Sequence, residues 1–393
     1  MTGTKEAAAP RTRDLLWPVL FFIIFTNGFE SGGYQASLLS IGETFDLSTT
    51  SMGLFAAVEL LADMLAPLLL GGLADRLNKG RCIQVALVVQ IAATVAVCVT
   101  RTQPLFVGSM FLLGLTTSAL QFISIAALAD AYPLTGARRI GYITSMYALG
   151  AVVAPLVVGA YLSAGIDWRA LFALLVVTSI IALVVITRAG VEPREQAPER
   201  TATASGGRFV LVGILLACVV MCIYVGFENG FAFFVDTLFA KVFNSTYGKL
   251  ALSLYWAVMI PSRILVGRFS EHARGILLTS VVAIPLIALL VSIAQSEWVV
   301  MALCVPLGLA SGAIYPCSLT LAMPLAGGRT ATATGMITTA TGIGGFAFTA
   351  LTGYAADMWG MRAAMALLSA FFIISIAAVV AIMRLGKRET QES

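Results

Sequence analysis

Twelve apolar runs, each about as long as a lipid bilayer is thick, follow one another along this chain. An α-helix rises about 1.5 Å per residue, so about 20 apolar residues cross a hydrocarbon layer of ~30 Å. The alternation typical of a β-barrel is missing from the sequence, and helices are then the way to satisfy backbone groups in lipid. We therefore expect an all-α integral membrane protein with twelve transmembrane helices. The runs lie at about 15–40, 51–74, 82–100, 104–127, 140–164, 168–187, 209–239, 250–266, 276–294, 298–324, 331–355 and 361–383.

The composition supports this expectation and argues against a water-soluble enzyme. Hydrophobic residues make up 59% of the 393 residues and charged residues only 11%, whereas a soluble protein carries about 25% charged residues. The six cysteines lie in or beside apolar runs and have no metal-site spacing with the single histidine, His272. The sequence also lacks a phosphate-binding loop of the Lys-Ser/Thr type. We expect no metal, no cofactor beyond a coupling proton, no nucleic-acid partner and no enzymatic activity.

The distribution of Lys and Arg predicts the orientation of the helices. With the amino terminus placed in the cytoplasm, eighteen of the 24 Lys and Arg residues fall on the cytoplasmic side and five on the outer side. Arg263 falls inside an apolar run. Cytoplasmic loops of membrane proteins carry such an excess of positive charge. We expect a multi-pass protein of the cell membrane with both termini in the cytoplasm.

The chain divides into two similar halves. The polar stretch 189–208 reads as a cytoplasmic linker between six-helix bundles at 15–188 and 209–385, with cytoplasmic tails at 1–14 and 386–393. Gly-Phe-Glu at 28–30 recurs at 226–228, and three glycines of the fifth run recur 194 residues later in the eleventh. These matches in order indicate a duplication. Two such repeats form transporters that bind substrate between the halves near the middle of the membrane.

The loop between the second and third runs carries a glycine, an Asp-Arg pair and a basic cluster: Gly71, Asp75, Arg76, Lys79 and Arg81. It resembles the loop signature of the major facilitator superfamily. The resemblance implies the major facilitator fold, with two pseudo-symmetric bundles, and secondary transport of a small-molecule substrate by alternating access. We expect a monomer in the lipid bilayer, in which this loop forms a charge network that breaks and re-forms as the halves rock.

Other runs are similar to those of proton-coupled members of the superfamily. Gly150 and Pro155 belong to a glycine-proline pattern that resembles drug antiporters, and such residues allow close helix packing and a bend. The surroundings of Glu30 resemble those in fucose–proton symporters, with Gln121 where those proteins carry a glutamate. Met110 stands where many proton-coupled members carry an arginine.

Charged residues inside the apolar runs are the candidate functional groups, because an ionised side chain at the bilayer centre costs at least about 2.5–3.5 kcal/mol. Glu30 shares a helix face with Asn27 and Tyr34. Glu228 occupies the repeat-equivalent place and shares a face with Tyr224. We expect the two glutamates to converge across a central cavity and to carry a proton or hold a cation.

The remaining candidates surround this pair. Asp63 can join the site or line the transport pathway. Glu59 lies one turn nearer the start of the second run and is expected to be closer to the outer surface. Arg263 is close enough to a helix end to snorkel to the cytoplasm, and it could equally pair with an acid across the cavity or meet an anionic substrate. Further predicted contacts are Gln121, Asn229 and Tyr315.

Three transport functions follow from these residues. The first is proton-coupled antiport that exports amphipathic or cationic compounds, with a proton on Glu30 or Glu228 competing with substrate. The second is proton symport of a sugar or similar polar solute, bound by amides and hydroxyls. The third is transport of an organic anion centred on Arg263.

Overall fold

The computed structural model describes residues 14–132, 136–191, 209–326 and 330–392, and these residues form α-helices joined by short turns, without a β-strand. The first half of the chain contributes α1 to α6 and the second half α7 to α13. The helices are α1 (Leu16–Thr44), α2 (Thr49–Arg76), α3 (Lys79–Val99), α4 (Gln103–Ala131), α5 (Gly136–Ser163), α6 (Arg169–Ala189), α7 (Leu211–Phe243), α8 (Gly248–Arg268), α9 (Ala273–Ile293), α10 (Glu297–Ala322), α11 (Thr330–Trp359), α12 (Met361–Ala370) and α13 (Phe372–Glu392).

The predicted membrane helices are confirmed. Ten helical segments within the described ranges are long and apolar enough to cross a membrane, and α1 and α11 pack among them. The twelfth span, expected to be one helix over 361–383, is divided into α12 and α13 at Phe371. Ile374 donates its backbone N–H to the carbonyl of Phe371 at 3.0 Å, so the interruption is one tightened turn within a single span.

The two halves repeat the same helix packing, in agreement with the duplication. Helix α1 packs against α5 in the first half, as α7 packs against α11 in the second. A Cβ added at Gly28 would overlap the backbone of Tyr147, and one at Gly150 would overlap the backbone of α1. In the second half, a Cβ at Gly344 would overlap the backbone of Cys222. Glycine permits these backbone-to-backbone approaches.

The halves meet mainly through α2 with α11 and α5 with α8. We call the end of the bundle where α1 begins at Leu16 the terminal end, and the end where α2 begins at Thr49 the distal end. Among the described residues, the hydrogen bonds and close glycine contacts between the halves lie from the middle of the bundle to the distal end. The contact nearest the terminal end joins Gly342 to the side chain of Met64, about midway along their helices.

Polar bonds reinforce this junction. Ser253 Oγ donates to the backbone oxygen of Val152 at 3.0 Å, and Trp256 Nε1 donates to Gln35 Oε1 at 3.1 Å. Both bonds join α8 to the first half in the distal part of the bundle. The molecule is therefore in a state closed at the distal end.

Candidate functional site

The first part of the site consists of three carboxyl groups, which we call the acidic cluster: Glu30 on α1, and Glu59 and Asp63 one turn apart on α2. Glu30 stands at the midpoint of its 29-residue helix. The side chain of Glu30 is 0% exposed and that of Glu59 3%, while Asp63 is half-buried. Both α2 carboxyls lie within electrostatic reach of Glu30. Three acids thus share one buried region of the first half.

The acidic cluster has few donors to balance it. Within the described residues, no donor group bonds to a carboxylate oxygen of Glu30 or to Asp63 Oδ1, and the carboxyl of Glu59 lies within hydrogen-bonding reach of Glu30. The ion pairs found among those residues involve other acids. The hydroxyl of Tyr34, which faces Glu30 and Glu59, is also buried without a hydrogen bond. Buried like charges repel one another, so a proton or a cation among these carboxyls would stabilise the cluster.

Helix α4 fixes the positions of the helices that carry the acids. Asn27 Nδ2 donates to the backbone oxygen of Thr117 at 2.9 Å, which ties α1 to α4. A Cβ at Gly114 would come within 2.7 Å of the backbone oxygen of Glu59, so glycine allows α4 to approach α2 closely. Asn27 Oδ1 has no hydrogen-bond partner among the described residues.

The second part of the site is a pair of opposite charges in the second half. Arg263 on α8 places a guanidinium nitrogen 4.0 Å from a carboxylate oxygen of Glu228 on α7. The Glu228 side chain is 10% exposed, whereas that of Arg263 is 42% exposed. This distance is at the outer limit of an ion pair, so the guanidinium keeps donors free for another acceptor.

Three tyrosines surround this pair. Tyr224 lies within hydrogen-bonding reach of both Glu228 and Arg263. Tyr255 faces the same pair and lies within hydrogen-bonding reach of Ser311. Tyr315 on α10 lies near Arg263 and is 39% exposed. The second half thus offers a partly open cation with phenol groups beside it, which is suited to an oxyanion.

The expected convergence of Glu30 and Glu228 across a cavity is not supported by a contact between them among the described residues. Each carboxyl interacts with groups of its own half: Glu30 with the acids of α2, and Glu228 with Arg263. Glu30 therefore faces α2, and Glu228 faces α8.

One candidate lies deeper than expected, and one residue of the site was not among the candidates. Glu59, expected closer to the outer surface, is buried beside Glu30. Its one-turn spacing from Asp63 places both carboxyls on one face of α2. Tyr147 on α5, which the sequence reasoning missed, faces all three acids and lies beside Ser31. Nothing in the sequence around Tyr147 marks it.

The other predicted residues lie on α1, α4, α5 and α7. Asn229 Nδ2 donates to the backbone oxygen of Val225 at 3.0 Å within its own helix. Gln121 is half-buried on α4. The ring of Tyr34 packs edge-on against Phe233 of the other half, with centroids 5.5 Å apart. Pro155 lies inside α5.

The predicted gating loop lies at the terminal end. Lys79 pairs with Asp130 at 2.6 Å, which joins the start of α3 to the end of α4. Arg81 is exposed, and its backbone N–H is capped by the side chain of Asn78 at 3.1 Å. The other predicted gating residues are Gly71, Asp75 and Arg76, whose contacts lie outside the described part of the structure.

Comparison with known proteins agrees with this architecture. The family model described as Major Facilitator Superfamily matches residues 20–349. Among solved structures, the fold is similar to that of a bacterial homolog to the human lysosomal transporter Spinster in an inward-facing and unoccupied conformation. The TM-score is 0.81 at 15% identity, over 96% of this chain and 98% of that one.

Two further solved structures share the fold. The human organic anion transporter MFSD10 (TETRAN) superposes with a TM-score of 0.67 at 14% identity, over 94% of this chain and 100% of that chain. The nucleoside transporter NupG superposes with a TM-score of 0.73 at 15% identity, over 93% and 99%. No curated protein sequence matches the chain. At these identities the likeness to solved structures concerns the fold alone.

Proposed function

Because this chain belongs to the Major Facilitator Superfamily, a family of transporters, we propose that it moves a small organic solute across the membrane by proton-coupled antiport. The observation that carries the proposal is the buried acidic cluster, in which Glu30 receives no hydrogen bond from a basic or amide donor among the described residues and instead meets the carboxyls of Glu59 and Asp63. A proton is the smallest charge that relieves this repulsion, and a cationic substrate is the natural competitor for the same carboxylates.

The charge balance favours an amphipathic or cationic substrate. The acidic cluster carries three carboxyl groups, whereas in the second half Arg263 offsets Glu228. The buried interior of the first half is therefore acidic unless it binds protons or a cation. Exchange follows if the proton and the substrate bind in turn and the halves rock between bindings.

The orientation of the chain in the membrane is part of this proposal. Lys79 and Arg81 begin α3, and Arg268 ends α8, so basic residues collect at the terminal end. The positive-inside rule then places that end and both termini in the cytoplasm of the cell, with the protein in the cell membrane. In this orientation, the closed distal end faces away from the cytoplasm.

Transport in liposomes tests the proposal. Purified protein is reconstituted, a pH gradient is imposed, and the uptake of the amphipathic cation ethidium is measured together with proton counterflow by an internal pH dye. We expect ethidium to move against the proton flow in the wild type. In Glu30→Gln, coupled transport should fall to the level of protein-free liposomes, because the amide can neither take up a proton nor balance a cation.

A matched control distinguishes the site from general damage. Glu43 lies on the same helix as Glu30 but is exposed at the distal end, so Glu43→Gln should transport like the wild type. If ethidium and protons move equally in Glu30→Gln and wild type, or if a pH gradient drives no exchange in any variant, proton antiport at this cluster is wrong.

Transport of an organic anion is a second candidate, favoured by the half-exposed guanidinium of Arg263. A carboxylate or sulfonate group could accept hydrogen bonds from this guanidinium and from Tyr315. The amide-rich site needed for a sugar is less favoured, because Asn27 and Gln35 are already bonded within the bundle.

The second candidate is tested with benzenesulfonate as the probe and thermal unfolding as the measurement. A ligand of the folded state raises the unfolding temperature by mass action. Arg263→Gln should abolish the shift and Arg263→Lys should reduce it, while Arg268→Gln, at the exposed end of the same helix, should leave it unchanged. Equal shifts in wild type and Arg263→Gln would dismiss an anion site at this residue.

A further inference from the structure

The junction at the distal end contains an unusual helix cap. The carboxylate of Asp357, near the end of α11, accepts the backbone N–H of Thr49 at 2.9 Å and that of Thr50 at 2.6 Å. These two amides open α2. The cap therefore comes from the other half of the molecule, more than 300 residues away along the chain.

A cap of this kind links the two halves electrostatically. The first amides of a helix have no partner within it, and the helix dipole places partial positive charge there, so a carboxylate is stabilised at that position. Most caps come from the residue just before the helix. Here the stabilisation is lost as soon as the halves separate at the distal end.

Two more contacts surround the same point. Lys241 on α7 donates through Nζ to Thr49 Oγ1 at 2.7 Å. Behind them the backbones of α2 and α11 nearly touch, since a Cβ at Gly353 would come within 3.0 Å of Gly53 Cα. All of these bonds cross from the second half to the first.

We propose that Asp357, Lys241 and the amino terminus of α2 form a clasp that holds the distal end closed, and that this clasp opens each time the central site is exposed to the distal side. The clasp residues lie at the distal end, apart from the acidic cluster and Arg263, so the proposal holds for any substrate and any coupling ion. The loop resembling a gating signature lies at the opposite end, so each end of the bundle has its own closing element.

The clasp does not respond to mild acid. Helix α11 has 30 residues, which is about 45 Å and longer than the hydrocarbon layer, so Asp357 lies at a projecting end. Burial alone would raise the pKa of this carboxyl, but hydrogen bonds from Thr50, Thr49 and Ser48 together hold the pKa well below its ordinary value. Lys241, which donates to Thr49 Oγ1, brings a positive charge to the same end of α2. The carboxylate thus stays charged as the pH falls toward the pKa of an ordinary aspartate. Opening of the clasp therefore depends on binding events elsewhere in the protein.

Hydrogen–deuterium exchange on the purified full-length protein tests the clasp. The variant is Asp357→Ala, and the matched control is Asp167→Ala, which removes an exposed distal acid that pairs with Arg169 of its own half. We expect exchange to rise about tenfold in Asp357→Ala, as the loss of a cap with two charge-assisted bonds implies. The rise should include peptides at the start of α2 and also peptides covering 241–256 and 345–357, which line the junction. Asp167→Ala should exchange like the wild type at all three.

The outcomes separate a clasp from a local cap. If Asp357→Ala raises exchange only in the first turn of α2, the carboxylate caps a helix without holding the halves, and the proposal is overturned. Unchanged exchange everywhere also overturns it. Should Asp357→Ala fail to fold, Thr49→Ala replaces it: this variant keeps both backbone bonds and loses the Lys241 bond, so a smaller rise over the same three regions is expected, and none would contradict the proposal.

Discussion

The two halves of the molecule carry a glutamate at the same place and surround it differently. Glu30 in the first half faces two more acids, whereas Glu228 in the second half faces Arg263. Both are nearly inaccessible to solvent. One duplicated position can thus be stabilised in two ways. A proton or ion from outside the chain can balance the carboxylate, or a basic side chain of the protein can do so.

Under the proposed function, this difference gives the two glutamates different roles. A glutamate balanced by a fixed guanidinium suits a permanent role in positioning Arg263. A glutamate beside two unbalanced acids changes its charge when a proton or cation arrives or leaves, so it suits coupling.

The largest expected difference concerns transport after neutralising one acid in each half. Glu59→Gln should lose pH-driven ethidium exchange to the level of protein-free liposomes, because the cluster then lacks the carboxyl beside Glu30. Glu228→Gln should keep pH-driven exchange and change only the apparent substrate affinity. Uptake in liposomes under an imposed pH gradient measures both, and equal losses would remove the distinction between the halves.

The second comparison concerns the ion pairs of the two halves. Lys249 lies 2.5 Å from Asp236, whose side chain is only 4% exposed, whereas Lys79 pairs with Asp130, whose side chain is 63% exposed. Lys249→Gln leaves a buried carboxylate unpaired and should cost about 3 kcal/mol. Lys79→Gln should cost less than about 1 kcal/mol. Denaturant unfolding in detergent measures both, and comparable losses would contradict the difference in burial.

The third comparison uses the repeated glycines. A Cβ at Gly28 would meet the backbone of Tyr147, but a Cβ at the equivalent Gly226 would meet the ring of Phe348. A ring can shift and a helix backbone cannot, so Gly28→Ala should destabilise by about 2–3 kcal/mol and Gly226→Ala by about 1 kcal/mol. Thermal unfolding of the two variants checks the order, and the reverse order would show that the repeats pack differently from the structure.

The smallest effect is expected from a double-mutant cycle on Arg263 and Glu228. Because Arg263 is 42% exposed and 4.0 Å from its partner, solvent weakens the pair, and the coupling energy should be about 1 kcal/mol. Unfolding of both single variants and the double variant measures it. A coupling near zero would mean that Glu228 is balanced by something other than this arginine.

Much of the fold could be predicted from the sequence, for a physical reason. Lipid requires long apolar helices, so runs such as 209–239 are visible without a structure. The break at Phe371 was not predictable, since its neighbours are as apolar as the rest of that run.

The site was predictable only in part. The cost of charge in lipid singles out Glu30, Glu228 and Arg263 wherever they point. Their partners depend on how each helix is rotated against its neighbours, and the sequence carries no periodic signal for that rotation. The clasp joins Asp357 to Thr49 across most of the chain, and neither residue is unusual for a helix end.

If the two halves differ as proposed, the acidic cluster of the first half binds the coupling proton and the Glu228 pair does not. Infrared difference spectroscopy of the reconstituted protein at neutral pH distinguishes the two, because a protonated carboxyl group has a characteristic C=O stretching band. We expect such a band in the wild type, its loss or shift in Glu30→Gln and Glu59→Gln, and its persistence in Glu228→Gln. If the band disappears only in Glu228→Gln, or if none of these proteins shows a band, the acidic cluster does not carry the proton.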